Sequence, residues 1–448
     1  MLDLVIRGGT VVGSRGSAPG DLAIAGGRIV AVMTPGAAAT ARAEIGVDGR
    51  YLLPGLVDAH AHFRDPGLTG KEDFASGSRA ALAGGVTTVL IMPTDDPWTA
   101  TPAQYLAKRA LAEERSRADI GLQAVLTRQL RDLDRLAELG ATSFELFTAD
   151  VPEEFRHDTT AAMEAAMRAV ARVQGVVAAS PGDESILERR LADLAAGPRG
   201  VDAFIASRPP LAEAAGIARA ILVAAATGAR LHIRQTGSAL GIAAFRRLRS
   251  LADVSIETSP QCLLFDRGAY DRLGRPIKAS PPLREREDML ALQAALCDGT
   301  IDLVATDHAP HSLADKAAAV DFMAVPGGMP GVQTLLFAML HMVERAIIRL
   351  PDVARLAAET PADRFGIGHR KGRLAAGRDA DIVVLDPGGR TVVRNRDQLS
   401  KPGYTVFDGL EVPFRLERVF LRGIEVVGPA ATTRPRGEVL VSRGSRAA

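Results

Sequence analysis

Hydrophobic and polar residues alternate with a period of two at both ends of the chain. Near the N-terminus, valine and isoleucine occupy alternate positions between glycine pairs in segments 2–12, 20–32 and 43–55. The same pattern returns in segments 377–386, 390–395 and 416–427. Such alternation between turn residues is typical of short antiparallel strands. We therefore predict that residues 1–53 and 371–448 pair into one small β-sandwich domain.

Between the two ends, short apolar runs alternate with amphipathic helical segments. From Thr159 to Val173 apolar residues recur at helical spacing, and Gly175 ends the pattern before the next run. The eight apolar runs are LVDAHAHF, TTVLIM, GLQAVL, SFELFT, VVAAS, LHIRQ, VSIETS and IDLVATDH. Eight strands separated by helices predict an α/β fold in which residues 54–370 form a (β/α)8 barrel. Because functional groups of such barrels collect at the C-terminal ends of the strands, the residues that close each run are candidates for the site.

Composition narrows the function to small-molecule chemistry. The chain has 448 residues, with 54 basic and 53 acidic side chains, and lacks the basic excess that nucleic acid or an anionic membrane favours. Its two cysteines cannot build a disulfide framework or a cysteine zinc cluster. The N-terminus has no basic segment before an apolar core, and the run AILVAAATGA is too short to span a bilayer. We expect a cytoplasmic protein.

Two histidines and an aspartate are the candidates for a metal site. His60 and His62 close the first run, and residues two apart on a strand point to the same side. The pair can present two imidazoles to one ion, although hydrogen-bonded polar residues are an alternative. Asp307 closes the eighth run, which lies beside the first when the barrel shuts. Unless Asp307 caps the following loop, it adds a carboxylate to the two imidazoles, a set that suits zinc.

Three motifs resemble dihydroorotases and their relatives, the hydantoinases and allantoinases of the amidohydrolase superfamily. They are segment 54–88, PGLVDAHAHFRDPGLTGKEDFASGSRAALAGGVTT; segment 280–284, SPPLR; and segment 298–311, DGTIDLVATDHAPH. The resemblance implies a divalent metal that activates water and a hydroxide that attacks a ring amide carbonyl. It also implies that Asp307 takes the proton from that water. Asp307 would then be both metal ligand and catalytic base.

The sequence departs from that family at the second metal. Most members bridge two metals with a carboxylated lysine on strand four and add one histidine each from strands five and six. Here these positions hold Glu145, Ser180 and Gln235. We therefore expect one divalent metal, zinc, bound by the two histidines and Asp307 with help from Glu145. A glutamate is shorter than a carboxylated lysine, so Glu145 could reach the ion directly after a local shift or only through water.

The residues expected to bind substrate follow from the same resemblance. Arg64, in FRDPG, stands where the family holds the substrate carboxylate, a task that suits the planar fork of arginine. A loop-bracing arginine is the alternative. Thr94 replaces an asparagine that usually assists, and Ser280 in ASPPLR is closer to hydantoinases than to dihydroorotases. Together with His311 these residues form the predicted substrate site, and the substrate's identity stays open.

Three functions compete. The leading one is a metal-dependent hydrolase that opens a cyclic amide, with dihydroorotate or a related acidic ureide as the small-molecule substrate. The second is a catalytically inactive dihydroorotase homologue kept as a structural partner, for example of aspartate transcarbamoylase. The lost ligands favour it, but the intact histidine and aspartate set, costly to bury unfilled, disfavours it. A deaminase-like enzyme with one metal is weaker, because its expected histidine and glutamate have no counterpart. We expect a homo-oligomer, a dimer or a tetramer.

Overall fold

Eight short parallel strands form the barrel that the apolar runs predict. The computed structural model describes residues 1–432 and 437–443. Parallel pairing runs through the eight strands in chain order, and a bridge between His308 and Ala61 brings the end of the eighth to the first. The barrel strands are Leu56–Ala61, Val86–Ile91, Asp119–Leu122 continued by Ala124–Val125, Phe144–Phe147, Val176–Ser180, Arg230–Ile233, Val254–Thr258 and Leu303–Val304.

Helices follow the barrel strands. The helix Thr160–Arg172 shows how the pattern folds locally: the Thr159 side chain caps its first turn, and Met163, Met167 and Val170 are buried. The other α-helices are Phe74–Ala83, Pro102–Arg115, Leu133–Glu138, Glu184–Asp193, Val201–Ser207, Pro210–Thr227, Ala239–Leu248, Pro260–Leu264, Ala269–Leu273, Arg286–Cys297, Leu313–Ala317, Leu335–Glu344, Leu350–Ala354 and Thr360–Arg364. A π-helical turn, Arg355–Glu359, joins the last two.

The two ends of the chain pair into one eight-stranded sheet, as predicted. The strand Tyr51–Pro54 runs antiparallel to Ile382–Asp386 and so joins the N-terminal and C-terminal strands. In order across the sheet the strands are Ile424–Val427, Arg415–Leu421, Ile382–Asp386, Tyr51–Pro54, Leu2–Gly13, Gly16–Ala25 and Arg28–Met33, and Ala41–Gly46 also pairs with Leu2–Gly13. A separate ribbon pairs Thr391–Val392 with Glu411–Val412. Ile6, Leu22 and Phe420 lie in a distinct apolar core.

The C-terminal segment returns to the barrel. The short strand Val439–Leu440 pairs in parallel with Asp119–Leu122, although the predicted domain 371–448 assigned it to the β domain. The Glu438 amide donates a hydrogen bond to Asp119 Oδ1 at 2.7 Å. Residues 433–436 and 444–448 of that predicted range lie outside the described residues. The boundaries at 53 and 371 stay predictions.

One helical stretch, Val201–Thr227, has the length and composition of a membrane span, but half of its most apolar window is buried inside the protein. The stretch is divided into two helices, Val201–Ser207 and Pro210–Thr227. The second packs against Thr160–Arg172 and Ala239–Leu248. These contacts are those of a helix in a protein core.

A buried lysine links the barrel to the sheet. Lys371 Nζ contacts the Asp119 carboxylate at the start of the third barrel strand. The same nitrogen lies 2.8 Å from Asp379 and 2.9 Å from Asp381, just before the sheet strand Ile382–Asp386. Burial alone would lower the pKa of Lys371, but the three carboxylates outweigh it and raise the pKa.

We predict that Lys371→Met destabilises the protein by about 3 to 5 kcal/mol, because it leaves buried carboxylates short of a cation. Urea unfolding followed by circular dichroism measures the change. Arg349→Met is the control, since that side chain is 79% exposed and should change the free energy of unfolding by less than about 0.5 kcal/mol. Equal midpoints for Lys371→Met and wild type would show that the junction does not depend on this cluster.

Candidate metal centre

His60, His62 and Asp307 come together at the C-terminal end of the barrel. Asp307 Oδ1 lies 3.3 Å from His60 Nε2 and 3.4 Å from His62 Nε2. One potential ligand atom from each residue lies within 4.8 Å of the other two. The two histidines share a side because they are two residues apart at the end of one strand, and the closing of the barrel brings the eighth strand beside them.

The Nδ1 atom of each imidazole already has a hydrogen-bonding partner. His60 Nδ1 lies 2.6 Å from Glu257 Oε1, and His62 Nδ1 lies 2.7 Å from Thr94 Oγ1. Such partners fix the ring orientation and the tautomer of a metal-binding histidine. Both Nε2 atoms are therefore directed to Asp307. Two imidazole nitrogens and one carboxylate oxygen fit a divalent cation such as zinc.

Charge states in the cluster follow from burial and from neighbouring charges. Burial lowers the pKa of His62 to about 3. For His60, burial also acts to lower the pKa, but Asp307 and Glu257 outweigh it and raise the pKa. Burial acts to raise the pKa of Asp307, yet the two histidines and a hydrogen bond from Gln235 lower it overall. An ionised Asp307 beside a neutral His62 is a combination that binds a metal ion.

Gln235 holds the second oxygen of Asp307. Its Nε2 donates a hydrogen bond to Asp307 Oδ2 at 2.8 Å and another to the Ser280 carbonyl at 3.3 Å. Gln235, Asp307 and Arg64 all adopt positive φ, at 51°, 49° and 58°. Such backbone is uncommon outside glycine and is concentrated at functional sites.

Glu145, the predicted additional ligand, is paired with an arginine. Its Oε1 accepts hydrogen bonds from Arg234 Nε at 2.8 Å and Nη2 at 2.6 Å, and both side chains are fully buried. The guanidinium supplies the opposite charge and the hydrogen-bond donors that a buried carboxylate needs. The group of described residues whose ligand atoms lie within 4.8 Å of one another consists of His60, His62 and Asp307, and the second oxygen of Glu145, Oε2, is buried without a hydrogen-bond partner in the described part of the chain.

Arg64 and His311 lie near the metal centre with unused hydrogen-bonding atoms. Within the described part of the chain, the buried Nε of Arg64 and Nδ1 of His311 have no hydrogen-bond partner. Burial lowers the pKa of His311 to about 3, assisted by the positive charges of Lys71 and Arg64. Arg64 also contributes to the low pKa of His62. The two predicted substrate-binding residues thus share one electropositive region beside the predicted ligands.

The other two predicted substrate-binding residues occupy different surroundings. Thr94 is hydrogen-bonded to His62, so it orients a potential ligand. Ser280 is exposed and lines a cleft of about 240 Å³, together with Ser180 and Gln235. Two ion pairs and several apolar side chains complete the lining: Asp150 with Arg208, Glu213 with Arg284, and Phe147, Val151 and Leu187. The hydrogen bond from Gln235 to Asp307 connects the cleft to the metal centre.

Three residues of the site were not predicted in their observed roles: Glu257, Arg234 and Gln235. Glu257 and Arg234 carry charges inside the runs VSIETS and LHIRQ, and a charge in an otherwise apolar strand is a signal of a buried pair. The resemblance identifies Gln235 only as the replacement of a histidine. Its contact with Asp307 spans 72 positions of the chain and leaves no local pattern in the sequence.

Comparisons with known proteins agree with this geometry. The model of the amidohydrolase family matches residues 51–426. The chain is 36% identical to an allantoinase of Solibacter usitatus, over 98% of this chain and 97% of that protein. It is 37% identical to a dihydroorotase of Halobacterium salinarum, over 87% of this chain and 89% of that protein. It is similar in structure to an L-hydantoinase of Arthrobacter aurescens, with a TM-score of 0.91, 28% identity and coverage of 99% and 98%. The predicted resemblance and the fold of a barrel with a β-sandwich are confirmed.

We predict that Thr94→Val weakens zinc binding by about 10-fold, because His62 Nδ1 loses the partner that fixes its ring. Competition with a chromogenic chelator measures the dissociation constant. Thr94→Ser is the matched control, since it keeps the hydroxyl and should bind zinc as wild type does. Wild-type affinity in Thr94→Val would exclude this threonine as a support for a ligand.

Proposed function

Because this chain belongs to the amidohydrolase family, we propose that it opens a cyclic amide with one divalent metal ion, zinc, held by His60, His62 and Asp307. The predicted enzyme class, a hydrolase acting on carbon–nitrogen bonds in cyclic amides, is confirmed by relatives named allantoinase and dihydroorotase. The same relatives give no support to an inactive structural partner. The observation that carries the proposal is the convergence of both Nε2 atoms on one oxygen of Asp307.

Ligand chemistry supports a single ion. Glu145 Oε1 is already bonded to Arg234. Ser180 and Gln235 offer a hydroxyl and an amide, which are poorer zinc ligands than imidazole or carboxylate. The amide of Gln235 is in addition hydrogen-bonded to Asp307. Only the two histidines and Asp307 remain as a set of strong donors near this point of the barrel, among the residues that the structure describes.

Charge balance supports a cation at the centre. An ion-pair network runs from Asp307 through His60 to Glu257, and from there through Arg234 to Glu145. With neutral imidazoles, its three carboxylates and one guanidinium leave two negative charges in excess. One divalent cation balances them, which matters because unpaired charge is costly in a buried site.

Asp307 suits the role of general base. Its Oδ1 faces the two imidazoles, while Oδ2 is held by the Gln235 amide, so the carboxylate has a fixed orientation. A divalent cation bound there supplies Lewis acidity, which makes water and an amide carbonyl more reactive. Asp307 takes the proton of the attacking water and passes it to the ring nitrogen, while oxygen bonds to the carbonyl carbon and the carbon–nitrogen bond breaks.

Arg64 and His311 favour an acidic ring. The unused Nε of Arg64 and Nδ1 of His311 can donate hydrogen bonds to a carboxylate, and a guanidinium can bind it with two parallel bonds. We therefore propose dihydroorotate or a related acidic cyclic ureide as the substrate. Arg64 lies close enough to His62 to lower its pKa, which supports binding of such a carboxylate beside the metal centre.

We further propose that the enzyme works in the cytoplasm as a homo-oligomer, a dimer or a tetramer, acting on this small molecule. The relatives are metabolic enzymes named for small-molecule substrates, which supports this setting. Light scattering of the purified chain distinguishes the dimer from the tetramer and from a monomer.

Ring opening by zinc-loaded protein tests the function. We expect hydrolysis of at least one of dihydroorotate, hydantoin, dihydrouracil and allantoin, with dihydroorotate preferred, and loss of activity on chelation that zinc restores. Asp307→Asn keeps the shape of the side chain but removes the proton acceptor, so turnover should fall by about 10² or more. Absence of turnover on all four compounds would contradict the proposed function, and full activity in Asp307→Asn would remove this residue as the base.

We predict that Arg64→Lys lowers kcat/KM on dihydroorotate by an amount equivalent to about 1 to 3 kcal/mol, since lysine keeps the charge but loses the two-pronged geometry. Dihydrouracil, which has no carboxylate, is the control substrate and should be affected much less. Zinc content should not change. Equal losses on the two substrates would assign Arg64 to bracing the loop.

A further inference from the structure

Arg234 is a fully buried cation at the end of the sixth barrel strand. Its guanidinium donates hydrogen bonds to Glu145 Oε1 at 2.8 and 2.6 Å, to Glu257 Oε2 at 3.3 Å and to the Ala59 carbonyl at 3.2 Å. It also contacts the side-chain oxygen of Gln123. These partners belong to four other barrel strands: the first, the third, the fourth and the seventh. A single side chain therefore ties together the interior of the barrel directly beside the metal centre.

Glu257 connects Arg234 to the centre. Its Oε1 lies 2.6 Å from His60 Nδ1, while Oε2 lies 2.9 Å from His232 Nε2 and 3.3 Å from Arg234 Nη1. Both of its oxygens are thus engaged, and the side chain is 2% exposed. With Glu257 Oε1 as the acceptor of a hydrogen bond from His60 Nδ1, Nε2 carries the free electron pair that a metal needs.

Removal of the guanidinium would leave two carboxylates, Glu145 and Glu257, buried in one interior without a cation. A buried carboxylate that loses its hydrogen-bond donors rotates to find others. Rotation of Glu257 alters the partner of His60 Nδ1. A lysine would restore the charge but not the fork, because one ammonium cannot reproduce the planar donors that now meet both carboxylates.

We propose that Arg234 is a positioning residue of the metal centre, which acts through Glu257 to set the orientation and tautomer of His60. The inference rests on the proposed function, in that it takes His60 to be a metal ligand. Among the described residues, no ion pair or hydrogen bond joins Arg234 directly to His60, His62 or Asp307. Its effect is therefore transmitted by Glu257, and it is expected in the binding of the metal before any substrate is added.

The test compares Arg234→Met and Arg234→Lys with wild type in two readouts that need no turnover. Chelator competition gives the zinc dissociation constant, and visible absorption of the cobalt-substituted protein reports the ligand field at the ion. We expect Arg234→Met to weaken zinc binding by about 10 to 100-fold and to change the cobalt spectrum, with Arg234→Lys intermediate.

Arg364→Met is the matched control. Arg364 is another nearly buried arginine of the barrel, with an 8% exposed side chain, and it binds Asp253 and the Leu231 carbonyl rather than Glu257. Its loss should lower stability but leave the zinc affinity and the cobalt spectrum unchanged. A difference between the two arginines separates an effect on the centre from a general loss of stability.

If Arg234→Met does not fold, the double variant Arg234→Met/Glu145→Gln removes one of the two charges left without a cation and keeps Glu257, and the same reduced affinity is expected. Folded variants of Arg234 that bind zinc as wild type does, with an unchanged cobalt spectrum, would overturn the inference alone. A wild-type protein that binds no divalent metal would overturn both the inference and the proposed function.

Discussion

The pairing of charges inside the barrel is the constraint on which the rest of this structure depends. Moving an ionised side chain out of water is costly unless an opposite charge and hydrogen bonds replace the water. Here Arg234 is shared by Glu145 and Glu257, and Glu257 in turn holds His60. The orientation of a potential metal ligand is thus tied to the electrostatics of the interior. The fold supplies the geometry, because parallel strands bring side chains from distant parts of the chain to one end of the barrel.

The proposed metal centre and the proposed substrate-binding region lie in parts of the fold where the backbone is constrained to different degrees. The potential metal ligands lie at the ends of the first and eighth strands, where backbone pairing limits their movement. Arg64 and His311 lie in the segments that follow those strands, where the backbone can vary without loss of the barrel. Enzymes of one family can in this way catalyse the same reaction and bind different cyclic substrates. Proteins similar to this chain carry the names allantoinase, dihydroorotase and L-hydantoinase.

Much of the fold could be predicted from the sequence because its signals are local. Period-two alternation marked the strands at both chain ends, and helical spacing with a stop at Gly175 marked Thr160–Arg172. The return of Val439–Leu440 to the barrel could not be predicted, since a short strand beside a distant partner has no period of its own. At the site, the spacing of His60 and His62 indicated a shared side.

The pairing of Glu145 could not be predicted in the same way. The resemblance placed a carboxylate at that position, but its partner is 89 residues away on another strand. The partner of a buried carboxylate such as Glu145 depends on the geometry of side chains across the barrel. Neither the spacing of residues in the sequence nor the composition contains that information. The pairing with Arg234 makes Glu145 a member of the ion-pair network, which the resemblance did not indicate.

Our central claim is that the ion-pair network positions the ligands of a single metal ion. Anomalous diffraction at the zinc edge, from crystals of the zinc-loaded protein, tests it most directly. We expect one peak, within bonding distance of His60 Nε2, His62 Nε2 and Asp307 Oδ1, with Glu145 still hydrogen-bonded to Arg234. Two peaks, or one peak bound by Glu145, would contradict it.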